Sequence, residues 1–413
     1  MSEALGKREI FKARFALAVR RALNLCLRGA RNLIFLRRTP PPEPKCIVAH
    51  LIGNIGDIVV AIPALVALRE RYPESRLVLF TSAGESGKRL AGAKELLEGA
   101  SFLDQVEVYA TEEIRNLRGA LGLLRRLRLL RPDVFVSLPP CNISPANVMR
   151  NMLFARLMGA RFGVGFDIVT LFLFSYEQAR YTGIYPSEIK RNLGHLKELG
   201  IASPTVRFEF GPLEAEELRR IEIDAAQHDP FIAVCPGGKQ VGHRWPIERF
   251  IAVVKYLKHE RGLNVVTVGS ERERGLCDEL LKAAGGGLNL AGELSLRGTA
   301  ELLARAHFLL TNDTGPMHLA AARGTPVIAV YGSKDLAGRW YPHGEGHELF
   351  RAQTACRQCL FADEEYDHCV RQISVEDVLA GCRRLLERLD ERRGQQERAA
   401  LPVNEELQRQ LVH

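Results

Sequence analysis

A polar turn near the C-terminal third of the chain has residue types that suit phosphate binding. The turn, residues 311–326, follows the apolar residues 307–310 and precedes the apolar residues 327–331, so it lies at the carboxyl end of a predicted strand. Thr314 and Gly315 would begin a helix whose free N–H groups and dipole favour a phosphate. In a parallel α/β sheet, this edge is where ligands bind.

The same turn is also typical of ordinary helix capping, since Asn312-Asp313-Thr314-Gly315 is a common capping sequence. His318 favours a further role. It follows Gly315 by three positions, so both residues share one face of the first helical turn. Because a cap has no use for a histidine, we predict a ligand-binding helix start.

A second polar turn, Gly53-Asn54-Ile55-Gly56-Asp57, follows the first predicted strand. Two glycines permit close approach to a ligand, but their spacing differs from the dinucleotide-binding Gly-x-Gly-x-x-Gly pattern, and an aspartate would repel a phosphate. Asp57 therefore has two interpretations. It is either an N-terminal helix cap or a general base that the helix dipole keeps ionised at neutral pH.

A glycine-rich loop in the second half of the chain lies between a predicted strand and a helix that begins with proline. Its Gly237, Gly238, Lys239 and Arg244 form a cationic loop of the kind that binds a diphosphate. Glu271 closes the next strand, where a carboxylate could accept hydrogen bonds from ribose hydroxyls or simply be solvated. The sequence contains no Asp-x-Asp, which favours a diphosphate held by cations and a helix start rather than by a metal.

Strands and helices that alternate from residue 45 onward would position these turns. Strands are predicted at residues 46–51, 76–81, 102–108, 134–138, 231–235, 264–269 and 288–291 and on either side of the turn at 311–326. Helices are predicted at residues 57–71, 112–130, 214–226, 246–259 and 273–284. The fold class is therefore α/β, with one doubly wound domain at 46–211, a second at 212–390 and a charged tail at 391–413.

The composition is that of a globular protein, with 46% hydrophobic and 26% charged residues among 413, which excludes disordered and fibrous classes. Nine cysteines scattered through apolar segments indicate reduced thiols in a cytoplasmic protein. The sequence has no signal-peptide pattern and no apolar span of about 18 residues. We therefore expect a protein that neither crosses a membrane nor is exported by the usual signals.

The net charge of +8 lies entirely in the first 45 residues, which hold 11 Lys and Arg but 3 Asp and Glu. Apolar residues recur there at helical spacing, at Phe11, Phe15, Val19, Ala22, Cys26, Ala30 and Leu33. The arm, a basic amphipathic helix followed by a proline-rich spacer, either packs on the protein's own surface or binds an anionic membrane through residues 7–38. Nucleic acid is not an expected partner, because no nucleic-acid-binding motif accompanies the charge.

The motifs together resemble glycosyltransferase family 9, the ADP-heptose:lipopolysaccharide heptosyltransferases, over residues 46–380. The residues that carry the resemblance are Gly56-Asp57, Pro63, Pro236-Gly237, Arg244-Trp245-Pro246, Glu248, the turn from Asn312 to His318, and Gly324-Thr325-Pro326. The resemblance implies a GT-B architecture, in which two Rossmann-like domains face a cleft. It also implies inverting, metal-independent transfer from ADP-heptose to the lipopolysaccharide inner core, at the cytoplasmic face of the inner membrane, by a peripheral enzyme.

The resemblance assigns roles to the motif residues. Asp57 matches the proposed general base, with Gly53, Asn54 and Gly56 as an acceptor-side loop. Arg244 stands where many members have lysine and would stabilise the departing ADP together with Lys239 and the helix start at Thr314, while Gly237 and Gly238 would bind the donor. The donor-binding residues that it implies are Asp313, Thr314, Gly315, His318 and, at the ribose or base, Glu271. No cofactor is expected, since the ADP-sugar is a substrate.

A cysteine group near the C-terminus also resembles one in many members of the family. Cys356, Cys359 and Cys369 are three sulfurs, and His368 or Cys382 would have to supply a fourth ligand for zinc. We favour a metal-free structural pocket.

Three alternatives to the implied reaction remain open. The acceptor could be a protein or another glycan, the donor could be another nucleotide sugar, or the chain could bind a nucleotide sugar without catalysis. Asp57 argues against the last alternative, because a binding module needs no base.

Overall fold

The structure is a computed structural model that describes residues 7–82, 92–139, 143–168, 186–239, 244–333, 336–352 and 369–400. Over these residues the chain forms two α/β domains, each built on one parallel sheet. The predicted fold class is therefore confirmed.

The N-terminal domain has five parallel strands, β1 (Cys46–Leu51), β2 (Arg76–Ser82), β3 (Gln105–Tyr109), β4 (Val134–Leu138) and β5 (Phe162–Val164). Its helices are α1 (Lys7–Ile34), α2 (Ile55–Arg71), α3 (Ala93–Leu97), α4 (Leu117–Arg128), α5 (Pro145–Met158) and α6 (Glu188–Gly194). The strand order is β3-β2-β1-β4-β5, so the chain adds strands on one side of β1 up to β3 and then continues on the other side of β1 with β4 and β5. The loop after β1 therefore opens at the switch point of the sheet, where ligands bind in such folds.

The C-terminal domain has six parallel strands, β6 (Phe231–Cys235), β7 (Asn264–Thr267), β8 (Leu288–Asn289), β9 (Leu309–Asn312), β10 (Val327–Tyr331) and β11 (Glu348–Arg351). Its helices are α7 (Ala215–His228), α8 (Ile247–His259), α9 (Arg274–Ala283), α10 (Leu296–Arg305), α11 (Gly315–Ala322) and α12 (Val375–Ala400). The order is β11-β10-β9-β6-β7-β8. Here the switch point lies between β6 and β9, so the loops after these two strands are neighbours.

Helix α2 lies between the two domains. Its residues 58–68 are all buried, because the sheet covers one side while α6 and the C-terminal helix α11 pack on the others. A helix that is apolar on all sides is stable only when it is enclosed in this way. The enclosure fixes the start of α2, and with it Asp57, against the C-terminal domain.

A second contact joins the domains away from the cleft, where α10 begins. The Arg297 guanidinium donates hydrogen bonds of 2.6 Å to the carbonyl oxygens of Glu98 and Pro212. The Leu296 N–H donates to the Glu95 carboxylate at 2.9 Å. Through these bonds, the start of α10 in the C-terminal domain is connected to α3 and its C-terminal end in the N-terminal domain and to Pro212, which lies between the domains.

Helix α1 packs on α5, although not through the apolar face that its spacing predicts. Leu27 is buried against the domain, and the Asn24 amide exchanges two hydrogen bonds with the backbone of Ile168, at 2.9 and 2.8 Å. Phe15 and Leu33, on the predicted apolar face, are exposed. The periodicity was thus right about the helix but did not identify the docked side. No helix among the described residues is long and apolar enough to cross a membrane.

Element boundaries differ from the prediction where local capping intervenes. The helix predicted at 112–130 divides into a 3-10 turn, Thr111–Ile114, and α4. The division occurs because the Asn116 side chain accepts the Gly119 N–H at 2.8 Å and begins a new helix. The strand predicted at 102–108 begins at Gln105.

The last helix, α12, is longer than the predicted boundary at residue 390. It continues to Ala400, and the Arg393 guanidinium lies 3.1 Å from the His307 ring nitrogen Nε2. The charged residues after 390 therefore continue a helix that contacts the domain, whereas their composition suggests a tail. Residues 401–413 lie outside the described part of the chain.

Candidate active site

The starts of α2 and α11 meet across the domain interface. A Cβ atom built on Gly315 would lie 2.8 Å from the Cβ of Ile55, and one built on Gly56 would lie 3.0 Å from Cδ2 of His318. A side chain at position 315 would therefore clash with Ile55, and one at position 56 would require the His318 ring to shift. The structure thus brings together the two turns that the sequence separates by more than 250 positions.

Asp57 folds back over the start of its own helix. Its carboxylate accepts the Asn54 N–H at 2.8 Å, so the predicted cap interaction is present. A Cβ on Gly53 would lie 2.3 Å from the Cβ of Asp57. Gly53 is therefore required for this arrangement, which leaves one carboxylate oxygen of Asp57 outside the cap hydrogen bond.

Burial raises the pKa of the Asp57 carboxyl above its usual value. The Asn54 N–H and the charges of Arg191 and Arg339 oppose this shift without cancelling it. The sequence argument considered only the helix dipole, which favours the ionised carboxylate, and did not include this burial. Asp57 is consequently a stronger base than a solvated aspartate.

Two arginines beside Asp57 share one buried carboxylate, that of Glu188 at the start of α6. Arg191 donates to Glu188 at 2.6 Å and Arg339, from the C-terminal domain, donates at 2.8 Å. Glu188 is 2% exposed, and burial lowers the pKa of Arg339 to about 10. Sequence reasoning missed this group, because its members lie outside the motifs and nothing in their spacing links them.

The start of α11 is not capped by the side chain of the residue before it. The helix begins at Gly315 after Thr314, whose side chain accepts no hydrogen bond from the first helical turn. The Thr314 hydroxyl is instead 3.1 Å from the Thr311 hydroxyl. The N–H groups at this end are therefore not capped by the side chain of Thr314, and the helix dipole favours a phosphate there.

Asn312 connects this turn to the glycine-rich loop after β6. Its buried amide donates to the carbonyl oxygens of Pro236 and Gly237, at 2.8 and 2.9 Å, and its Oδ1 accepts the Trp245 N–H at 2.9 Å. The amide satisfies three backbone groups that would otherwise be unpaired in the interior. Asn312 is therefore a positioning residue that the sequence motif contained but whose role the sequence did not reveal.

The cationic residues of the loop lie where the loop meets the cleft. Arg244 closes the loop by donating through Nε and Nη2 to the Gly238 carbonyl oxygen, at 2.8 and 2.6 Å. Lys239 reaches the other domain, where its ammonium donates to the Asn54 side-chain oxygen at 3.3 Å. Lys239 and Asn54 thereby link the predicted donor and acceptor loops directly. Residues 240–243 lie outside the described part of the chain.

Of the two glutamates after β7, it is Glu273 that faces the loop. A Cβ on Gly237 would lie 2.0 Å from Oε1 of Glu273, whereas Glu271 is exposed and lies against Gly292. The Ser270 N–H donates to Glu273 at 2.7 Å, which turns the carboxylate back toward the strand end. The sequence prediction named Glu271, whereas the glutamate that lies against the glycine-rich loop is Glu273.

His318 and Asp313 complete the predicted donor turn. His318 is buried, burial lowers its pKa to about 4, and its ring meets the Trp340 ring edge-to-face at 5.8 Å between centroids. The imidazole is consequently neutral at pH 7 and presents a hydrogen-bonding group without charge. The Asp313 backbone N–H donates to the Val330 carbonyl oxygen at 3.2 Å, which places Asp313 between β9 and β10.

A cavity of about 290 Å³ opens beside the α2 start, at the carboxyl ends of β1 and β4. Its lining includes His50, Asn147 and Arg150. His50 stacks on Phe80 at 5.1 Å between ring centroids, and burial lowers its pKa to about 4. The cavity therefore combines a neutral imidazole, an amide and one cation, a set that suits a polar ligand.

The C-terminal cysteines are only partly within the described residues, because Cys356, Cys359 and His368 lie outside them. Cys369 is buried, and its sulfur accepts the Ser333 N–H at 3.4 Å. Within the described ranges, no group of three His, Cys, Asp or Glu side chains is placed to hold a metal ion.

Residues 143–369 match the family model described as glycosyltransferase family 9 (heptosyltransferase). Lipopolysaccharide heptosyltransferase 3 of Escherichia coli strain K12 is 25% identical over 358 residues, which are 80% of this chain and 95% of that protein. Lipopolysaccharide heptosyltransferase 2 of Salmonella typhimurium is 37% identical over 109 residues, 25% of this chain. That alignment spans 31% of the Salmonella protein.

Two solved structures share the fold. A glycosyl transferase family 9 protein from Veillonella parvula has a TM-score of 0.67 at 18% identity, covering 85% of this chain and 100% of its own. ADP-heptose lps heptosyltransferase II of E. coli has a TM-score of 0.59 at 19% identity, covering 83% and 99%. The expected GT-B architecture is confirmed.

Proposed function

The chain belongs to glycosyltransferase family 9, and we propose that it transfers a heptose from ADP-heptose to a sugar hydroxyl of the lipopolysaccharide inner core. The C-terminal domain, residues 212–390, holds the donor and the N-terminal domain, residues 46–211, holds the acceptor. The observation that carries the proposal is the meeting of the α2 start, with its basic carboxylate, and the α11 start, with its open N–H groups. A base opposite a phosphate site is what a single displacement at an anomeric carbon requires.

The donor diphosphate lies at the start of α11. The backbone N–H groups after Thr314 and the helix dipole bind the phosphate oxygens, and Lys239 adds a cation from the glycine-rich loop. Glu273 accepts hydrogen bonds from the ribose hydroxyls beside Gly237. Asp313 and the neutral His318 lie near the sugar, where an uncharged imidazole binds hydroxyl groups without attracting a second anion.

Asp57 is the general base. Its carboxylate removes the proton of the acceptor hydroxyl as that oxygen attacks the anomeric carbon from the face opposite ADP. The bond between the anomeric carbon and the phosphate oxygen breaks, and ADP leaves with the electron pair. The configuration of the anomeric carbon inverts. The pKa that burial raises makes Asp57 a better proton acceptor, and Arg191 and Arg339 favour the ionised form before the proton arrives.

The charge that develops on ADP is balanced by protein groups and not by a metal. Lys239, Arg244 and the α11 start supply positive potential at the leaving phosphate. Arg244 holds the loop in shape through the Gly238 carbonyl oxygen, so its contribution includes positioning. The sequence offers no Asp-x-Asp pair for a metal, which supports the metal-independent form of the reaction.

The acceptor is anchored in lipid, so the enzyme works at a membrane surface. Residues 7–38 attach it to the anionic cytoplasmic face of the inner membrane as a peripheral protein. The cavity lined by His50 and Arg150 lies on the acceptor side of Asp57, where it receives part of the core oligosaccharide.

The direct test is to incubate the full chain with truncated lipopolysaccharide cores and a panel of nucleotide sugars, followed by mass spectrometry. We expect one added heptose only with ADP-heptose and a core acceptor. Transfer to a protein or from a different donor would replace the proposed substrates. Donor binding without transfer to any acceptor would indicate a binding module and contradict the enzyme assignment.

A further inference from the structure

A stripe of apolar residues on α1 faces solvent from Phe15 to Leu33. Its members recur at spacings of three and four, namely Phe15, Ala18, Ala22, Leu25, Gly29 and Leu33, and all of them are exposed. Leu25 is 68% exposed and Leu33 is 88% exposed. A stripe of this width normally faces a core, so its exposure here needs a partner.

The helix cannot turn this stripe onto its own domain without losing its docked side. Asn24 is bonded to the Ile168 backbone, Leu27 is buried, and Arg31 pairs with Glu198 and stacks over the Phe162 ring. In a helix of 3.6 residues per turn, these docked residues lie on the side opposite Leu25 and Leu33. The exposed stripe is thus a fixed outer surface of the N-terminal domain.

Neighbouring helices continue the apolar surface. Helix α5 packs between α1 and α4, and all three cover the same face of the sheet. On α5, Leu153 and Leu157 are about half exposed, at 49% and 50%. Leu117 on α4 and Leu129, the residue that follows α4, are more exposed still. Isolated exposed leucines are common, but leucines on the outer sides of three adjacent helices form an extended patch.

The charged residues of α4 and α5 are all basic, although Arg126 pairs with Glu107 and Glu113, and Arg28 on α1 pairs with Asp167. Helix α4 contains four arginines and no acidic residue, and α5 contains two arginines and no acidic residue. Arg21 and Arg28 flank the stripe on α1, and Arg118 and Arg125 lie beside Leu117 and Leu121 on α4. A positive surface with projecting leucines matches the headgroup region of an anionic membrane.

We propose that the outer sides of α1, α4 and α5 form one membrane-binding surface, with anionic phospholipid as its partner. The proposal extends the membrane attachment in the proposed function from residues 7–38 to a face of the folded domain, and it rests on that part only. A second copy of the chain is a poorer partner. Two equal patches would meet in a symmetric dimer and bring arginines against arginines.

The surface sets the orientation of the enzyme. Because α4 and α5 are part of the N-terminal domain, binding through all three helices holds that domain flat on the membrane. A helix attached alone, through the arm, would leave the domain free to turn. The acceptor-side cavity, which lies at the start of α5, is then kept at the level of the lipid headgroups.

The experiment measures flotation of the full chain with vesicles, without substrate, at low and high salt. The vesicles contain phosphatidylglycerol and phosphatidylethanolamine, or phosphatidylcholine alone. The variants are Leu25→Gln with Leu33→Gln on α1, and Leu153→Gln with Leu157→Gln on α5. Ile223→Gln on α7 is the matched control, because Ile223 is also about half exposed, at 51%, but belongs to the C-terminal domain.

We expect salt-sensitive binding to phosphatidylglycerol vesicles only, and a loss of about tenfold or more in partitioning for both leucine pairs. Ile223→Gln should bind as the unchanged protein does. Thermal unfolding at an unchanged midpoint shows that the variants fold. Full vesicle binding by the α5 variant would overturn the three-helix surface. It would also be overturned if the unchanged protein does not bind vesicles and sediments as a dimer, and the leucine variants sediment as monomers.

Transfer to a deacylated, water-soluble acceptor separates this proposal from the proposed reaction. The leucine variants should keep that activity, because their side chains lie away from Asp57 and the α11 start. If no acceptor is modified but the vesicle results hold, the reaction is wrong and the membrane surface stands.

Discussion

The Arg339 guanidinium of the C-terminal domain donates a hydrogen bond of 2.8 Å to the Glu188 carboxylate of the N-terminal domain. The Glu188 N–H returns a hydrogen bond of 3.0 Å to the Arg339 carbonyl oxygen, and the second carboxylate oxygen accepts from Arg191. One buried anion thus serves two cations from different domains. The group fixes the domains against each other beside Asp57 and also controls the potential at that carboxylate.

Glu188→Gln should destabilise the protein strongly. The change leaves two largely buried guanidinium groups without a counter-charge, and breaking a buried pair in this way costs about 3–5 kcal/mol. Urea denaturation gives the free energy of unfolding. Glu70→Gln is the control, because Glu70 pairs with Arg207 at the surface and should change stability by less than about 1 kcal/mol. Equal effects of the two changes would argue against a buried ion pair between the domains.

Arg339→Met should move the acidic limb of the pH dependence of kcat/KM to higher pH. The Arg339 charge lowers the pKa of Asp57, so its removal raises that pKa, and Asp57 then loses its ionised form at a higher pH. Arg339→Lys retains the charge and should leave the limb nearer its original position. The measurement is kcat/KM against pH for the three proteins. A limb that is the same in all of them would mean that Arg339 does not act on the base.

Asp57→Asn should reduce kcat by about 10²–10⁴ while ADP binding stays within a small factor. Asparagine keeps an oxygen that can accept the Asn54 N–H, so the helix start is retained while the base is lost. Asp57→Ala removes both and should lose about 1 kcal/mol of stability as well. Turnover and calorimetric binding of ADP are measured for both variants. Near-normal turnover in either one would refute the base assignment.

Glu273→Gln should weaken ADP binding by about tenfold, because ribose hydroxyls then lose a charged acceptor beside Gly237. Glu271→Gln is the neighbouring control and should bind ADP as the unchanged protein does, since Glu271 faces Gly292 and solvent. Titration calorimetry with ADP distinguishes the two. A loss confined to the Glu271 variant would restore the assignment made from sequence.

The sequence predicted those parts of the site that follow from strand order and local helix chemistry. A polar turn after an apolar strand must lie at the carboxyl edge of a parallel sheet, so the placement of Gly315 at a helix start could be predicted without a structure. Asp57 at the start of α2 could be predicted in the same way. The spacing of Ser270 and Glu273 is that of a capping box, a signal that would have favoured Glu273 over Glu271.

Other parts of the site depend on contacts between segments that are far apart in the sequence, and no local sequence pattern indicates that these segments meet. Glu188 and Arg339 are separated by 151 positions and belong to no motif, so their pairing exists only once the domains pack. The burial that raises the pKa of Asp57 also comes from that packing, so an argument from the helix dipole alone could not include it. In helix α1, the spacing of apolar residues predicted an apolar stripe, but spacing alone does not show whether another part of the protein covers that stripe.

The close approach of Gly56 to His318 and of Gly315 to Ile55 governs how substrates enter. The main chains of the two glycines lie against these side chains, so the starts of α2 and α11 are held close together. If the donor lies between Asp57 and the α11 start, as proposed, the two helix starts must separate for ADP-heptose to enter and for ADP to leave. The rate of that separation would then be an upper limit on turnover.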